Sequence, residues 1–468
     1  MPGLLIAATL IGSLLLVQFS MRSRPMPKDR PLNVDEGLPL PEAGQASTVF
    51  SLTALFGAYF GIYLVLGIPA LAGLASGTVL GLVLIRQWIK RQSGSTFEEF
   101  LVTILQGTPG NVGAFALALA AVQCAFAASE LLILREIARV SLGLRLDHAT
   151  ILVVALAVVG YFYVLFGGYM AVFRTDVLQF ALVAAMAVVL GIVSLSPGIP
   201  AGWTTRLAPR HGYWQLPWLA AGPGLYVYHF LIGSVMGLGF LSVSPDTWKR
   251  VFIVTKLRPR SRLRFLIFLG AGVAPFLVLV LLGIPTPAIP NGFVNAGHMF
   301  AAMLKSDLVF VAAASGLVAS FLSAFNGALL SAVQVGLVLQ RASAPNGIET
   351  TRFHWLMAGA FLTICFLFAA MTYSGNPYLL ANLLLGAYAV IAGVEIGTLG
   401  LLARLPENSV LWIVVIGLVG WFLYVVSTVG LPKYPTTYQI NTVPGGVVLC
   451  LTAAFVCRLL VLGDRRHA

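Results

Sequence analysis

Three carboxylates, Asp176, Glu130 and Glu395, sit inside long apolar runs. A carboxylate in such surroundings has to pair, protonate or hold a cation, so each is a functional candidate. Asp176 belongs to FGGYMAVFRTDVLQF (166–180), where Gly167-Gly168, Arg174 and Gln179 also interrupt a run that is otherwise apolar from Ile151 to Leu195. Glu395 lies in LLLGAYAVIAGVEIGTLGLL, with no basic residue on its own helix until Arg404. It must pair across helices, carry a proton or meet water, which makes it a candidate for proton coupling. Glu130 is the second coupling candidate. The nearby Arg135 and Glu136 read as a structural pair near a membrane surface, because Arg135 can reach carboxylates on adjacent turns. Gln123 could hydrogen-bond a solute or a neighbouring helix. Tyr226, Tyr228 and His229 precede the Gly-interrupted IGSVMGLGF (232–240). The tyrosines fit an interfacial aromatic belt, and His229 fits that belt or a solute contact equally.

Enzymatic chemistry has no foothold. The chain contains no H-E-x-x-H, no phosphate-binding loop, no Asp-rich phosphate motif, and no Ser or Cys nucleophile with plausible partners. The four cysteines, Cys124, Cys365, Cys450 and Cys457, all fall in apolar spans without a C-x-x-C pattern, which argues against metal or redox work. Cys450 and Cys457 are about 10 Å apart on one helix, too far to bridge. No cofactor is expected beyond a coupling ion. The net charge of +12 follows from basic residues held in cytoplasmic loops, and no nucleic-acid partner is expected.

The elements that position these residues follow from composition. Hydrophobic residues make up 59% and charged residues 9% of the chain, and the mean hydropathy is +0.94. A soluble domain carries about 25% charged residues, so the solvent here is the bilayer. Helices alone fit, since the apolar runs show no in–out alternation. Apolar windows long enough to cross about 30 Å of hydrocarbon place thirteen spans at 3–20, 47–66, 68–88, 111–138, 149–166, 176–196, 224–243, 263–284, 308–338, 353–371, 378–402, 410–428 and 445–463. The first lacks the basic leader of a cleaved signal and is followed by MRSRPMPKDR, so it reads as a retained helix with its N-terminus outside. Threading from there puts 21 of the 28 Lys and Arg on the cytoplasmic side, as the positive-inside bias demands. The expected location is the cytoplasmic (inner) membrane, with the C-terminus inside.

Setting the first span aside, the next ten divide into two groups of five, and an odd group size inverts the second group. Such repeats build secondary transporters, with interrupted helices at matching positions near the binding site. SLTALFGAYFG (51–61) and IGSVMGLGF occupy matching positions and are both Gly-interrupted. Each also matches G-x-x-x-G, which in membrane helices usually marks close packing. The expected domains are 1–46 (extra helix and cytoplasmic loop), 47–196 and 197–402 (the two five-helix repeats), and 403–468 (two further helices and tail).

GGYMAVFRTDVLQ resembles the signature of the sodium:solute symporter family, with its Gly-Gly, Ala-Val and Thr-Asp followed three residues later by Gln. SPDTWKRVF (244–252), SGLVASFLSAFNGALLSA (315–332) and TFEEFL (96–101) agree in order and spacing with further segments of that family. The chain is thereby identified as a divergent member. The resemblance implies an all-α, LeuT-like fold and secondary active, cation-coupled symport of a small polar solute by alternating access. It implies ion ligands from the first core helix, through carbonyls around Leu55 and Ala58, and from Ser323 on the eighth. Ala324 stands where the second hydroxyl is expected; Ser320 lies one turn earlier. A further site would use Asp176 with Asn326, while Gly327 offers no ligand. Gln123, His229, Gly57 and Gly237 are the expected solute contacts. Sodium is one candidate ion and the proton the other. A competing expectation is a transport-incompetent relative acting as a membrane sensor or partner subunit, motivated by the altered ligand set. Solute and bilayer are the expected partners; nothing in the residues sets an oligomeric state.

Overall fold

A computed structural model describes residues 59, 69–87, 89–90, 109–141, 144–195, 227, 230–231, 233–234, 237–238, 244–256, 261–281, 307–343 and 349–373. Among the described residues every element is a helix: α1 (Pro69–Gln87), α2 (Pro109–Ser141), α3 (Leu146–Leu195), α4 (Pro245–Lys256), α5 (Ser261–Leu281), α6 (Asp307–Ser343) and α7 (Glu349–Tyr373). The described residues between 227 and 238 are helical as well.

Four stretches are long and apolar enough to cross a membrane: Pro69–Gln87, Leu146–Gly168, Val318–Leu337 and Arg352–Ala370. Three shorter apolar helices, Leu119–Leu132, Thr175–Val189 and Leu263–Leu277, accompany them. All seven fall on spans read from hydropathy. The protein is an integral membrane protein. The expected spans at 3–20, 378–402, 410–428 and 445–463 lie outside the described residues.

At the centre is α6, buried at every residue from 318 to 335. It packs along α2 and α3, and α7 lies against α2 and α6. Leu322, Phe325, Leu329 and Val333 of α6 meet Leu131, Val164, Val183 and Met357 in one apolar core. Outward, Ile151, Phe162, Phe166, Trp355, Leu362 and Phe366 are exposed. On a soluble surface such a patch would be an aggregation liability; here it meets hydrocarbon.

Contacts give the relative directions of the helices. Cys124 lies by Ala360 and Arg135 by Thr372, so α2 and α7 run parallel. Asp176 meets Ser323 while Met186 meets Gly316, so the second half of α3 runs antiparallel to α6. Both directions agree with the alternation that the hydropathy threading requires.

The chain reverses inside α3 at one residue. Gly168 has φ 52° and ψ −150°, a region that side chains with a Cβ rarely adopt. Gly160 and Asp176, each eight residues from it, both reach the 323–326 turn of α6. The expected connector over 166–175 is therefore shorter than its polar residues suggested, because helix resumes at once after Gly168. Gly168→Ala should lower stability by about 1–3 kcal/mol, read as a lower thermal unfolding midpoint of the purified protein.

A second group of helices meets through backbone. A Cβ on Gly73 or Gly77 would run into the carbonyl of Phe230 or Ser234, and one on Gly233 or Gly237 into that of Ala70 or Leu74. Two G-x-x-x-G spacings therefore interlock, as small residues permit in membranes. Tyr59 joins this group. It is fully buried and its hydroxyl donates to the Gly272 carbonyl of α5 at 2.9 Å, in the turn before Pro275. Thr78 of α1 also hydrogen-bonds Tyr59. The Arg86 guanidinium stacks over Phe265 of α5, 4.2 Å from the ring centroid.

Candidate functional site

The first turn of α4 is written in Ser244-Pro245-Asp246-Thr247. The Ser244 hydroxyl accepts the Thr247 amide at 3.3 Å, and the Ser244 carbonyl accepts the Trp248 amide at 3.0 Å. Ser is thus the N-cap, and Pro fills the first helical position, where its missing N–H costs nothing. Asp246 follows in the first turn, where the helix dipole favours negative charge. Its own amide has no partner within the helix and donates instead to Ser331 Oγ of α6 at 3.1 Å.

One turn later comes Arg250, four residues on and therefore on the Asp246 face. Arg250 Nε donates to Asp246 Oδ2 at 2.7 Å, and its Nη2 donates to Asp176 Oδ2 of α3 at 2.8 Å. The Ser323 hydroxyl of α6 donates to the other Asp176 oxygen at 2.7 Å. All three charged side chains are withdrawn from solvent, Arg250 and Asp176 completely. Burial works against the guanidinium's charge, but Asp246 and Asp176 outweigh it and hold the arginine above its ordinary pKa. Lys249, also buried, adds a second positive charge acting on Asp246. Two carboxylates thus face two cations. A buried charge survives only when compensated in this way.

The structure therefore brings together Asp176 and Ser323 of the expected ion set, and adds Arg250 and Asp246, which carry no such role in the sequence reading. Both Asp176 oxygens already hold hydrogen bonds. Asn326 is fully buried, with its amide oxygen against Gly160, and Ser320 is fully buried earlier on α6. Gln179 is buried one turn beyond Asp176, its Oε1 without a hydrogen bond.

Toward the other end of α2 the polar residues separate. Arg135 Nη1 donates to Thr372 Oγ1 at 2.9 Å, and the guanidinium lies 5.9 Å from the Phe368 ring centroid. The structure gives Arg135 a hydroxyl partner on α7; the carboxylate pairing that the sequence suggested involves Glu136, whose side chain lies outside the described ones. Glu130 is 5% exposed, and its Oε2 has no hydrogen-bond partner. Gln123 is buried two turns earlier, at i−7 from Glu130 and so close to the same face. Gly237, expected at a solute site, has its α-carbon side closed by the Leu74 carbonyl, which is a packing position. Leu55, Gly57, Ala58, His229 and Glu395 lie outside the described residues. Among the described residues no group of three or more His, Cys, Asp or Glu could hold a metal ion.

The signal for Arg250 was present in the sequence. An Asp–Arg pair at i, i+4 follows an N-cap and opens the short helix Pro245–Lys256.

The sequence matches no protein-family model and no curated protein. In structure the chain is similar to a Na+-coupled sialic acid symporter in a substrate-bound outward-open state, with a TM-score of 0.57 and 15% identity over 97% of each chain. It is less similar to a mutant of the manganese transporter of Eremococcus coleocola, with a TM-score of 0.47 and 11% identity over 92% of this chain and 95% of that one. At 15% identity the first likeness is one of fold: this chain has the fold of a transporter.

Proposed function

We propose that the protein is a secondary active transporter, carrying a small polar solute together with a cation across the cytoplasmic membrane by alternating access. The carrying observation is the way the helices group. Tyr59, α1, the 227–238 helix and α5 hold one another through glycine contacts and the Tyr59 hydrogen bonds. The helices α2, α3 and α7 pack around α6, Tyr59, Leu71 and Leu74 of the first group reach the same core, and α4 touches both α5 and α6. Each group draws on equivalent helices of the two halves, as expected when a five-plus-five repeat within thirteen spans rocks one body against another. The N-terminus is outside and the C-terminus cytoplasmic in this reading.

For the coupling ion, the geometry favours the proton over sodium. Glu130 is a buried carboxylate with an oxygen that takes no hydrogen bond, and such a group inside a membrane protein is suited to a proton relay. Asp176 is committed to Arg250 and Ser323. Gln123, on the Glu130 face, is the solute contact best placed among the described residues. Glu395 and His229 remain candidates for coupling and solute contact respectively. The protein, reconstituted in liposomes, should accumulate solute when an inward proton gradient is imposed and show little response to sodium. Silence under both gradients across a broad panel of sugars, amino acids, carboxylates and vitamins would instead support the competing reading, a transport-incompetent sensor or partner subunit.

A further inference from the structure

We propose that the cytoplasmic ends of α1 and α5 form a docking surface for an anionic phospholipid, with Arg86, Lys90 and Arg264 holding its headgroup phosphate and the apolar face of α5 taking its acyl chains. The inference concerns the membrane around the protein and holds whether or not a solute is carried.

One contact brings the two helix ends together. The Arg86 guanidinium lies over the Phe265 ring, 4.2 Å from its centroid, so the last turn of α1 and the first turns of α5 stand at one level of the bilayer. Phe265 is buried, while Leu263, Leu266 and Ile267 around it are exposed, and Leu277 continues that exposed side further along α5. On α1, Leu80 is exposed in the turns before Arg86. The seam between the helices is therefore flanked by apolar side chains and basic at its end.

The charges sit where hydrocarbon gives way to headgroups. Arg86 stands in the last turn of the apolar stretch Pro69–Gln87, and Arg264 in the first turn of the apolar helix Leu263–Leu277. Lys90, four residues beyond Arg86 and so on nearly the same helix face, is exposed. The bias that orients membrane proteins asks only for basic residues in cytoplasmic loops. It does not ask for a guanidinium laid on a buried ring within the last turn of a span, nor for arginines at the start of α5. That first turn holds Arg262 and Arg264 and no acidic residue, although positive charge is unfavourable at the positive end of a helix dipole. A phosphate group placed there offsets the repulsion. A guanidinium presents its donors in one plane and matches the oxygens of a phosphate, and stacking on Phe265 fixes that plane. The exposed leucines and Ile267 lie at the depth where acyl chains begin, and they favour a lipid over a soluble phosphate.

The test is thermal unfolding of the full-length protein in a neutral detergent, with added phosphatidylglycerol or with phosphatidylcholine of the same acyl chains. A ligand that binds the folded state raises the unfolding midpoint by mass action. Phosphatidylglycerol should raise the wild-type midpoint above that in phosphatidylcholine, and high salt should shrink the difference. Each basic residue removed should weaken the apparent affinity for phosphatidylglycerol about fivefold. Arg86→Gln can lower the midpoint by itself, so its response is read against its own value in phosphatidylcholine. Lys90→Gln/Arg264→Gln leaves the stacked pair intact and should lose most of the rise. Arg145→Gln, at an exposed arginine paired with Asp147 at the start of α3, should keep all of it. A wild type with equal midpoints in the two lipids would overturn the proposal, as would a Lys90→Gln/Arg264→Gln protein with the full rise. Inorganic phosphate that raises the midpoint as far as the lipid does would overturn it too, since the acyl chains would then play no part.

Discussion

Replacing Gly77 by leucine should leave little monodisperse protein, and Gly233→Leu should do the same. At both positions the atom that a new Cβ would strike is a backbone carbonyl of the facing helix, and backbone cannot rotate aside as a flexible side chain can. Overpacking a well-fitted contact costs about 1–3 kcal/mol when neighbours can adjust. Here four positions, Gly73, Gly77, Gly233 and Gly237, make reciprocal contacts, so relief at one pushes the helices apart at the other three. Alanine at any one of them should lower the unfolding midpoint, and leucine should exceed what the interface tolerates. The control is Gly270 of α5, where nothing lies within 4 Å of an added Cβ. Gly270→Ala should be neutral or stabilising by up to about 1 kcal/mol, the helix-propensity gain. Size-exclusion profiles and unfolding midpoints of the variants, compared side by side, decide the matter. A well-behaved Gly77→Leu protein would show that the two helices do not meet through backbone.

The second large effect is expected at Glu130. Glu130→Gln keeps the shape of the side chain and removes its ability to take and release a proton. If Glu130 carries the coupling proton, the variant should lose accumulation driven by a proton gradient while still exchanging labelled for unlabelled solute across the membrane. Exchange needs only the moving protein and the solute site; accumulation needs the ion as well. Loss of both activities would mean that Glu130 holds the structure or the solute, and retention of both would remove it from the mechanism. An aspartate at the same position, shorter by one methylene, should keep part of the coupling.

The spans were legible because hydropathy over some twenty residues is a collective signal, and seven of them fall on described helices. Gly167-Gly168 likewise announced a break, since a fifty-residue helix cannot sit straight in a 30 Å slab. The resemblance set Ser323 with carbonyls of the first core helix and Asp176 in a further site with Asn326; the hydrogen bond between Ser323 and Asp176 comes from the structure. What the sequence could not supply was the pairing of Asp176 with Arg250, which lies 74 positions away. Arg250 stands in a run of basic residues after a span, where a positive charge ordinarily marks the cytoplasmic side and points into water. The physical reason it turns inward is that α4 packs against both α5 and α6, a tertiary fact. Gly237 illustrates the opposite case. Its G-x-x-x-G spacing admitted a packing role from the start, and GLASG at 73–77 carries the matching half. Only the structure says that the two halves belong to each other. Arg135 reads as a partner for a carboxylate because charge is the strongest local cue, and its hydrogen bond to the Thr372 hydroxyl on α7 has no counterpart in that local pattern.

The charge balance around Arg250 has an electrical consequence. A bilayer under tension from a potential does work on any net charge that shifts along its normal, about 2.3 kcal/mol per elementary charge per 100 mV. Asp176, Asp246, Lys249 and Arg250 together sum to zero, so moving them as a body would draw almost no current and give voltage no handle on that end of the molecule. If Glu130 takes and releases a proton during the cycle, it is where an applied potential would act. Polarising the membrane should then bias the protein through the proton it carries, and leave the arginine cluster indifferent.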